Sequence, residues 1–362
     1  MSYPASAFRS ESSSELTLMA ILEPIADELH LTQELYRQTV LDTAESSYLH
    51  KLISGEGFSY IPDEFRVAVA DQIARHLLSG EGKWIRASLV LLAADACGVR
   101  GRSVHQVAVA VELVHLATLV HDDIIDEAPM RRGVESVAGG WGNKIAVLLG
   151  DFLFSKAFKL LLSSSSIPAQ KLLTQATGQM CLGEIRQLGF AQQQETTEPE
   201  YLEMIENKTA SLMAAATASG GHLGGLPEDL IIKMHGYGHD LGMLFQITDD
   251  VLDYTASTLT LGKEQGVDIK NGKSTLPLIH LLREKGEAAR TIFMSDNHID
   301  QKAHDLLAMM EKTGSITYAY NLARQYGETA RENLAEVEHA LGSSASLRAL
   351  GGLVEFILRR EK

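Results

Sequence analysis

Six aspartates in two short stretches are the residues of this chain best placed to do chemistry. Asp122, Asp123 and Asp126 lie in "HDDIID", and Asp249, Asp250 and Asp253 repeat the Asp-Asp-x-x-Asp spacing in "TDDVLD". On a helix the first and last member of each set project from one face, with neighbouring side chains about 5–6 Å apart, so two carboxylates can share a cation. A single acidic stretch is more often the solvated end of a helix. Here both stretches close apolar segments, "AVAVELVHLATLV" and "LGMLFQI", which carry them toward the interior. Carboxylates converging in a cleft repel one another at any realistic effective dielectric, and divalent cations relieve that repulsion. All-oxygen ligation points to magnesium, which keeps part of its water shell and shares the rest with phosphates. Neither stretch has the central glycine or the distal glutamate of a helix-loop-helix calcium site. The ligand implied is a diphosphate.

A diphosphate also calls for cationic side chains, and this chain is acidic: 32 Lys and Arg against 47 Asp and Glu, a formal net charge of -15. That balance argues against general nucleic-acid binding and makes local basic clusters informative. Arg131 and Arg132 follow the first aspartates, Lys83 and Arg86 lie in "GEGKWIRAS", Lys208 in "NKTAS", and Lys263 and Lys273 in "LGKEQGVDIKNGKS". Taken singly, each is an ordinary surface charge. Together with two carboxylate clusters they imply two diphosphate sites, one bridged by metal and one held by arginine, lysine and histidine. His115 lies seven positions before Asp122, two helical turns, and so shares its face. No Ser-His-Asp constellation is present.

The elements that must position these residues are helices. Helical periodicity runs from Leu16 onward, the eight prolines sit mostly at helix starts or in connectors, and alternating strand runs are absent. The expectation is an all-α protein of about a dozen helices. Its 362 residues, 45% hydrophobic, suffice for one large core, with residues 1–14 as a disordered lead-in and 15–362 as a single helical domain. Cys97 and Cys181, in apolar surroundings and without metal-ligand spacing, read as reduced core residues of a cytoplasmic protein. No window holds the roughly 20 uninterrupted apolar residues of a spanning helix. A membrane-surface habit, with product released there, stays open.

The ordered set "KWIR", "HDDIIDEAPMRRG", "GNKIAVLLGD", "NKTA", "FQITDDVLDYT", "GKEQGVDI" and "GKSTLPL" resembles the trans-prenyltransferases, the isoprenyl diphosphate synthases that join allylic diphosphates to isopentenyl diphosphate head to tail. The resemblance runs from about Lys83 to the C-terminus. It implies an all-helical bundle around a deep central cavity, a homodimer, and magnesium, about three ions per site. It further implies that Asp122, Asp126 and Asp249 are metal ligands, and that Asp123, Asp250 and Asp253 support them or bind through water. Arg131, Lys208, Thr209, Gln246, Lys263 and Lys273 match positions that hold the allylic diphosphate, and Lys83, Arg86, His115 and Arg132 match the isopentenyl diphosphate site. Two departures stand out. Glu81 and Ala87 replace a glycine and a proline of the family's basic segment, and "ESVA", Glu135 to Ala138, replaces a Pro-Thr-x-His pattern.

Relatives with short products often place a bulky aromatic four or five positions before the first aspartate, or insert two residues in the motif. Here those positions are Thr118 and Ala117, with no insertion. The helical period then brings Val114 and Val111 into the next layers of an open channel, which implies a product of about six or more isoprene units. Phe154 and Phe158 are candidates for its floor. The alternatives are a short-chain farnesyl or geranylgeranyl diphosphate synthase, a class I terpene cyclase, a head-to-head synthase and a non-catalytic regulatory subunit. The duplicated aspartates, Lys83 and Arg86 argue against the cyclase. The "GKSTLPL" and Lys-x-x-Arg segments argue against the head-to-head enzyme, and the complete set of charged residues against the subunit.

Overall fold

A computed structural model of the chain describes residues 13–45, 73, 76–78, 82–131, 133–191, 196–255, 266–270, 272–295 and 299–361. Among them the only strands are β1 (Met130–Arg131) and β2 (Val134–Glu135), a two-residue antiparallel pair just beyond the first aspartates. Everything else is helix or connector, the all-α class that the periodicity predicts. Most of the lead-in expected for residues 1–14 lies outside the described residues, and Ser13 and Ser14 open the first helix.

Helix α1 (Ser13–Leu22) packs on the C-terminal helix, and α2 (Ala26–Glu45) packs on α3 (Ile85–Ala96) and on α4 (Arg102–Ile125). After the small hairpin and a short α5 (Val137–Trp141), α6 (Asn143–Ser163) packs along α4 and leads to α7 (Ile167–Ala191). Then come α8 (Glu198–Ile205), a π-helical turn Glu206–Ala210, α9 (Ser211–Leu223) and the long α10 (Glu228–Thr255). The chain closes with α11 (Val267–Lys270), α12 (Leu276–Phe293), α13 (Ile299–Thr313), α14 (Ser315–Leu341) and α15 (Ala345–Leu358).

Helix α4 explains why the first aspartates are held where they are. Val107, Ala108, Val109, Ala110, Val111, Leu113, Val114 and Ala117 are all fully buried, so the helix is apolar on nearly every side over its middle. Each Val or Leu so enclosed contributes about 1.5–3 kcal/mol. By length and composition it is the one described helix that could cross a membrane, yet 61% of its most apolar window is buried inside the protein. It is the core helix of this bundle.

The second aspartate helix is set by small residues. Helix α9, "SLMAAATASGGHL", is buried from Ser211 to Gly221 and lets its neighbours approach closely. A Cβ on Gly220 would lie 2.5 Å from the Val90 carbonyl of α3, and one on Gly242 of α10 would lie 2.5 Å from the Ala210 Cα. Only glycine permits that contact, which presses α10 onto the π-helical turn. Along its length α10 also packs against α14. A smaller apolar cluster around Tyr254, Leu281, Leu306 and Met310 holds α11 to α13 under the end of α10.

The cysteines differ from expectation. Cys97 is half-buried and Cys181 is exposed on α7. Its apolar neighbour Leu182 is exposed as well, so a local run of apolar residues does not mark a core face there.

Candidate active site

Asp122, Asp123 and Asp126 occupy the last turn and C-cap of α4, while Asp249, Asp250 and Asp253 lie in the last two turns of α10. Two chains of contacts join the clusters. On one side Lys208, in the π-helical turn, places its Nζ 3.7 Å from Asp122 Oδ2 and 2.5 Å from Glu184 Oε2. It also donates to Gln187 Oε1 at 3.1 Å. Its neighbour Thr209 donates to Gln246 Oε1 at 2.8 Å, and Gln246 Nε2 donates to Asp250 Oδ1 at 2.8 Å. On the other side Lys273 Nζ lies 3.6 Å from Asp126 Oδ2. The Lys273 backbone N–H donates to the Asp268 carbonyl, and the Asp268 N–H to Asp253 Oδ2, at 2.8 and 3.0 Å. The two aspartate sets therefore face one cleft. A π-helical turn in such a place is a frequent mark of a functional site.

Exposure divides the six carboxylates. Asp126 and Asp249 are exposed and Asp122 is half-buried, whereas Asp123 and Asp250 are buried. The buried pair is tied up by protein donors. Arg131 Nε donates to Asp123 Oδ1 at 2.7 Å, and the Tyr201 hydroxyl donates to Asp250 Oδ2 at 2.6 Å. Asp122, Asp126 and Asp249 are thus the more accessible carboxylates, and Asp123 and Asp250 brace the scaffold behind them. Asp253 is half-buried and accepts from the Asp268 backbone.

Crowding of acid in a partly dry cleft shifts protonation. Burial lifts the Asp122 carboxyl to about 6 against the pull of Lys208, with Glu184 and Asp126 adding repulsion. Burial likewise lifts Asp250 to about 7, although Tyr201 and Gln246 hydrogen-bond to it. Asp268 rises to about 6, through burial first and Asp253 second. Burial pulls the Lys208 ammonium downward, but Asp122 and Glu184 more than offset it, so it stays charged. Carboxylates outnumber cationic side chains among the described residues of the cleft. Among the described residues no three His, Cys, Asp or Glu side chains group closely enough to hold an ion by themselves. A metal here would complete its shell with water and ligand oxygens, the habit of magnesium beside a diphosphate.

The basic segment lies beside α4. Lys83 is exposed with its Nζ 5.6 Å from the Phe356 ring, and Arg86 is half-buried in the first turn of α3. His115 is half-buried, and Thr118 donates its hydroxyl to the His115 carbonyl at 2.7 Å. That bond satisfies the hydroxyl within the helix. Arg132 and Lys263 lie outside the described residues. Phe154, half-buried, has its ring 5.9 Å from His121 and 6.5 Å from Phe158, which is 36% exposed. Both rings line an open groove of about 720 Å³ along α6, with Leu162 and Lys159.

Five residues of this site escape the motif reading. Glu184 and Gln187, in "GEIRQ", reach Lys208 from α7; Tyr201 and Asp268 flank the second cluster. Arg360, at the C-terminal end, donates to Asp249 Oδ1 at 3.1 Å and rests 5.0 Å from the Phe245 ring, with its Nη1 buried and unbonded. The local signals are the three-residue spacing of Glu184 and Gln187 and the place of Asp268 within "GKEQGVDI".

The chain matches the polyprenyl synthetase family over residues 67–312. It is 35% identical over 294 residues to a short chain isoprenyl diphosphate synthase of Methanothermobacter thermautotrophicus, covering 80% of this chain and 89% of that one. It is 33% identical over 302 residues to the octaprenyl diphosphate synthase of Escherichia coli, covering 82% and 91%. Among solved structures it is similar to a polyprenyl synthase of Caulobacter crescentus crystallised with calcium and isoprenyl diphosphate, with a TM-score of 0.80, 29% identity, and coverage of 97% and 99%. With its two aspartate-bearing helices facing one cleft in an all-α bundle, this chain belongs to the polyprenyl synthetase family and is a prenyltransferase, an isoprenyl diphosphate synthase.

Proposed function

We propose that this synthase extends an allylic diphosphate, whether geranyl, farnesyl or geranylgeranyl, by successive additions of isopentenyl diphosphate to an all-trans product of about C30 or longer. The observation that carries the condensation itself is that Lys208, Lys273 and Arg131 are brought onto the carboxylates of the cleft. These cations would contact the oxygens of an allylic diphosphate, with Thr209 and Gln246 beside them. Preorganised positive charge stabilises the leaving diphosphate without a reorganisation cost at the moment of reaction. Magnesium held by Asp122, Asp126 and Asp249, about three ions per site, would add Lewis-acid charge stabilisation of the same leaving group.

The residues then divide the work. Lys208, Arg131, Lys273 and Lys263 hold the allylic diphosphate while its C–O bond ionises. Lys83, Arg86, His115 and Arg132 hold isopentenyl diphosphate so that its double bond attacks the allylic cation. The released diphosphate takes the proton, so no protein base is required. The growing tail would run along α4 past Thr118, Ala117, Val114 and Val111, whose small or trim side chains obstruct it least. Thr118 spends its hydroxyl on the His115 carbonyl and offers the tail no unsatisfied polar group.

The relatives carry names for short and long products alike, so the long product rests on the α4 residues alone. Incubation of the purified protein with magnesium, isopentenyl diphosphate and each of the three primers, read by mass spectrometry, tests it. A product that stops at the farnesyl or geranylgeranyl length would overturn the long-chain reading, and absence of turnover by the protein alone would favour the regulatory subunit.

A homodimer is part of the same proposal. Leu148, Phe158 and Leu162 on α6 and Leu182, Ile185 and Leu188 on α7 are exposed apolar side chains on neighbouring helices, and a second copy would cover them. Light scattering during size-exclusion chromatography measures this directly. The two free cysteines accord with a reducing, cytoplasmic setting.

A further inference from the structure

We infer that Glu112 is the positioning residue of the isopentenyl diphosphate site, an inference that rests on the reading of Lys83 and Arg86 just given. Helix α3 begins without a cap of its own. Its N-cap is Trp84, a residue whose side chain makes no capping bond and whose backbone is left-handed at φ 55°. The exposed N–H groups of a helix start carry partial positive charge, and Lys83 and Arg86 add two full charges to the same end. Such an end favours an anion.

Glu112 supplies the cap that the helix start does not provide itself. From α4, 25 residues away, its Oε1 accepts the Ala87 backbone N–H at 2.9 Å, the third residue of α3. It therefore acts as the N-cap in trans. Its carboxylate also faces the Arg86 guanidinium, which counters the upward push of burial on its pKa. The Tyr36 ring meets Trp84 edge-on at 4.9 Å between ring centroids and closes the other side. Glu112 stands one turn before His115 and about three turns before Asp122 on the same helix. One carboxylate thus fixes the basic segment to the helix that carries the first aspartates, and the two diphosphate sites keep a constant separation.

The test compares Glu112→Ala, which removes cap and charge, with Glu112→Gln, which keeps an acceptor for Ala87. Steady-state kinetics should show the KM for isopentenyl diphosphate about tenfold higher in Glu112→Ala, equivalent to ~1.4 kcal/mol. The KM for the allylic primer should stay within about twofold, and kcat at saturating isopentenyl diphosphate within about threefold. Glu112→Gln should recover most of the loss. Trp84 and Trp141 are the two tryptophans of the chain, so in a Trp141→Phe background the fluorescence of Trp84 reports the segment. Its titration midpoint with isopentenyl diphosphate alone should move by the same factor. Equal rises in both KM values, an unchanged KM for isopentenyl diphosphate, or no recovery in Glu112→Gln would overturn the inference. Lys83→Ala and Arg86→Ala separate the two readings. If they leave the KM for isopentenyl diphosphate unchanged, the site assignment itself fails; if they raise it while both Glu112 variants do not, only the role of Glu112 fails.

Discussion

Asp250 should weaken the fold that carries it, and by an amount that depends on pH. Its carboxyl moves from an ordinary 3.8 to about 7, chiefly through burial. A raised native pKa means that the folded protein binds more proton than the unfolded chain between those two values. Stability therefore falls as pH climbs from about 4 to about 7, and the full penalty, ~4 kcal/mol as an upper figure, persists above that. Asp250→Asn removes the titration. Asparagine has one acceptor oxygen, so it keeps the Tyr201 bond and loses good geometry with Gln246, whose carbonyl is already taken by Thr209. That loss costs about 1 kcal/mol. The metal-free variant should thus be close to the parent in stability at pH 5 and more stable at pH 8, the gap widening by ~2.5 kcal/mol, or ~3 °C in Tm for a chain of this size. Urea or thermal unfolding followed by circular dichroism, in chelator at both pH values, measures it. A gap that is the same at pH 5 and pH 8 would refute the reasoning. The variant should also lose turnover, because the charge that strains the fold is the charge that serves the cleft.

Asp122→Ala should reduce kcat by at least about a hundredfold while the Tm holds or rises, since it removes a strained carboxylate; near-normal activity would disprove its role as metal ligand. Ala117→Phe introduces a ring at a fully buried position of α4, and mass spectrometry should show a shorter product, with an overpacking cost of about 1–3 kcal/mol in stability. Gly242→Ala forces a Cβ to within 2.5 Å of Ala210. It should lower stability by about 1–3 kcal/mol and, by displacing the turn that carries Lys208, raise the KM for the primer; unchanged kinetics would detach that turn from substrate binding.

Much of this protein is local and therefore readable along the chain. The helical period of α4 and α10, the four-residue spacing within each aspartate set, and the association of Lys208 with Thr209 all span a turn or two, and a helix of fixed rise and twist carries such relations unchanged into three dimensions. The all-α class and the family follow from that local order. The exposure of Cys181 shows the limit: an apolar neighbourhood in sequence says nothing about which helix face finds a partner.

What the chain alone does not contain is which helices meet. Asp123 and Asp250 are buried and bonded while Asp122 and Asp249 are more accessible, though the two spacings are identical, because Arg131 turns back onto Asp123 and Tyr201 reaches Asp250 from another helix. Glu112 reaches Ala87 across 25 residues, Tyr201 reaches Asp250 across 49, and Arg360 reaches Asp249 across 111. These pairings depend on helix approach, and the approach is set by contacts such as Gly220 against Val90 and Gly242 against Ala210. A periodic pattern specifies the face a helix buries; close packing of many side chains at once selects the face it is buried against.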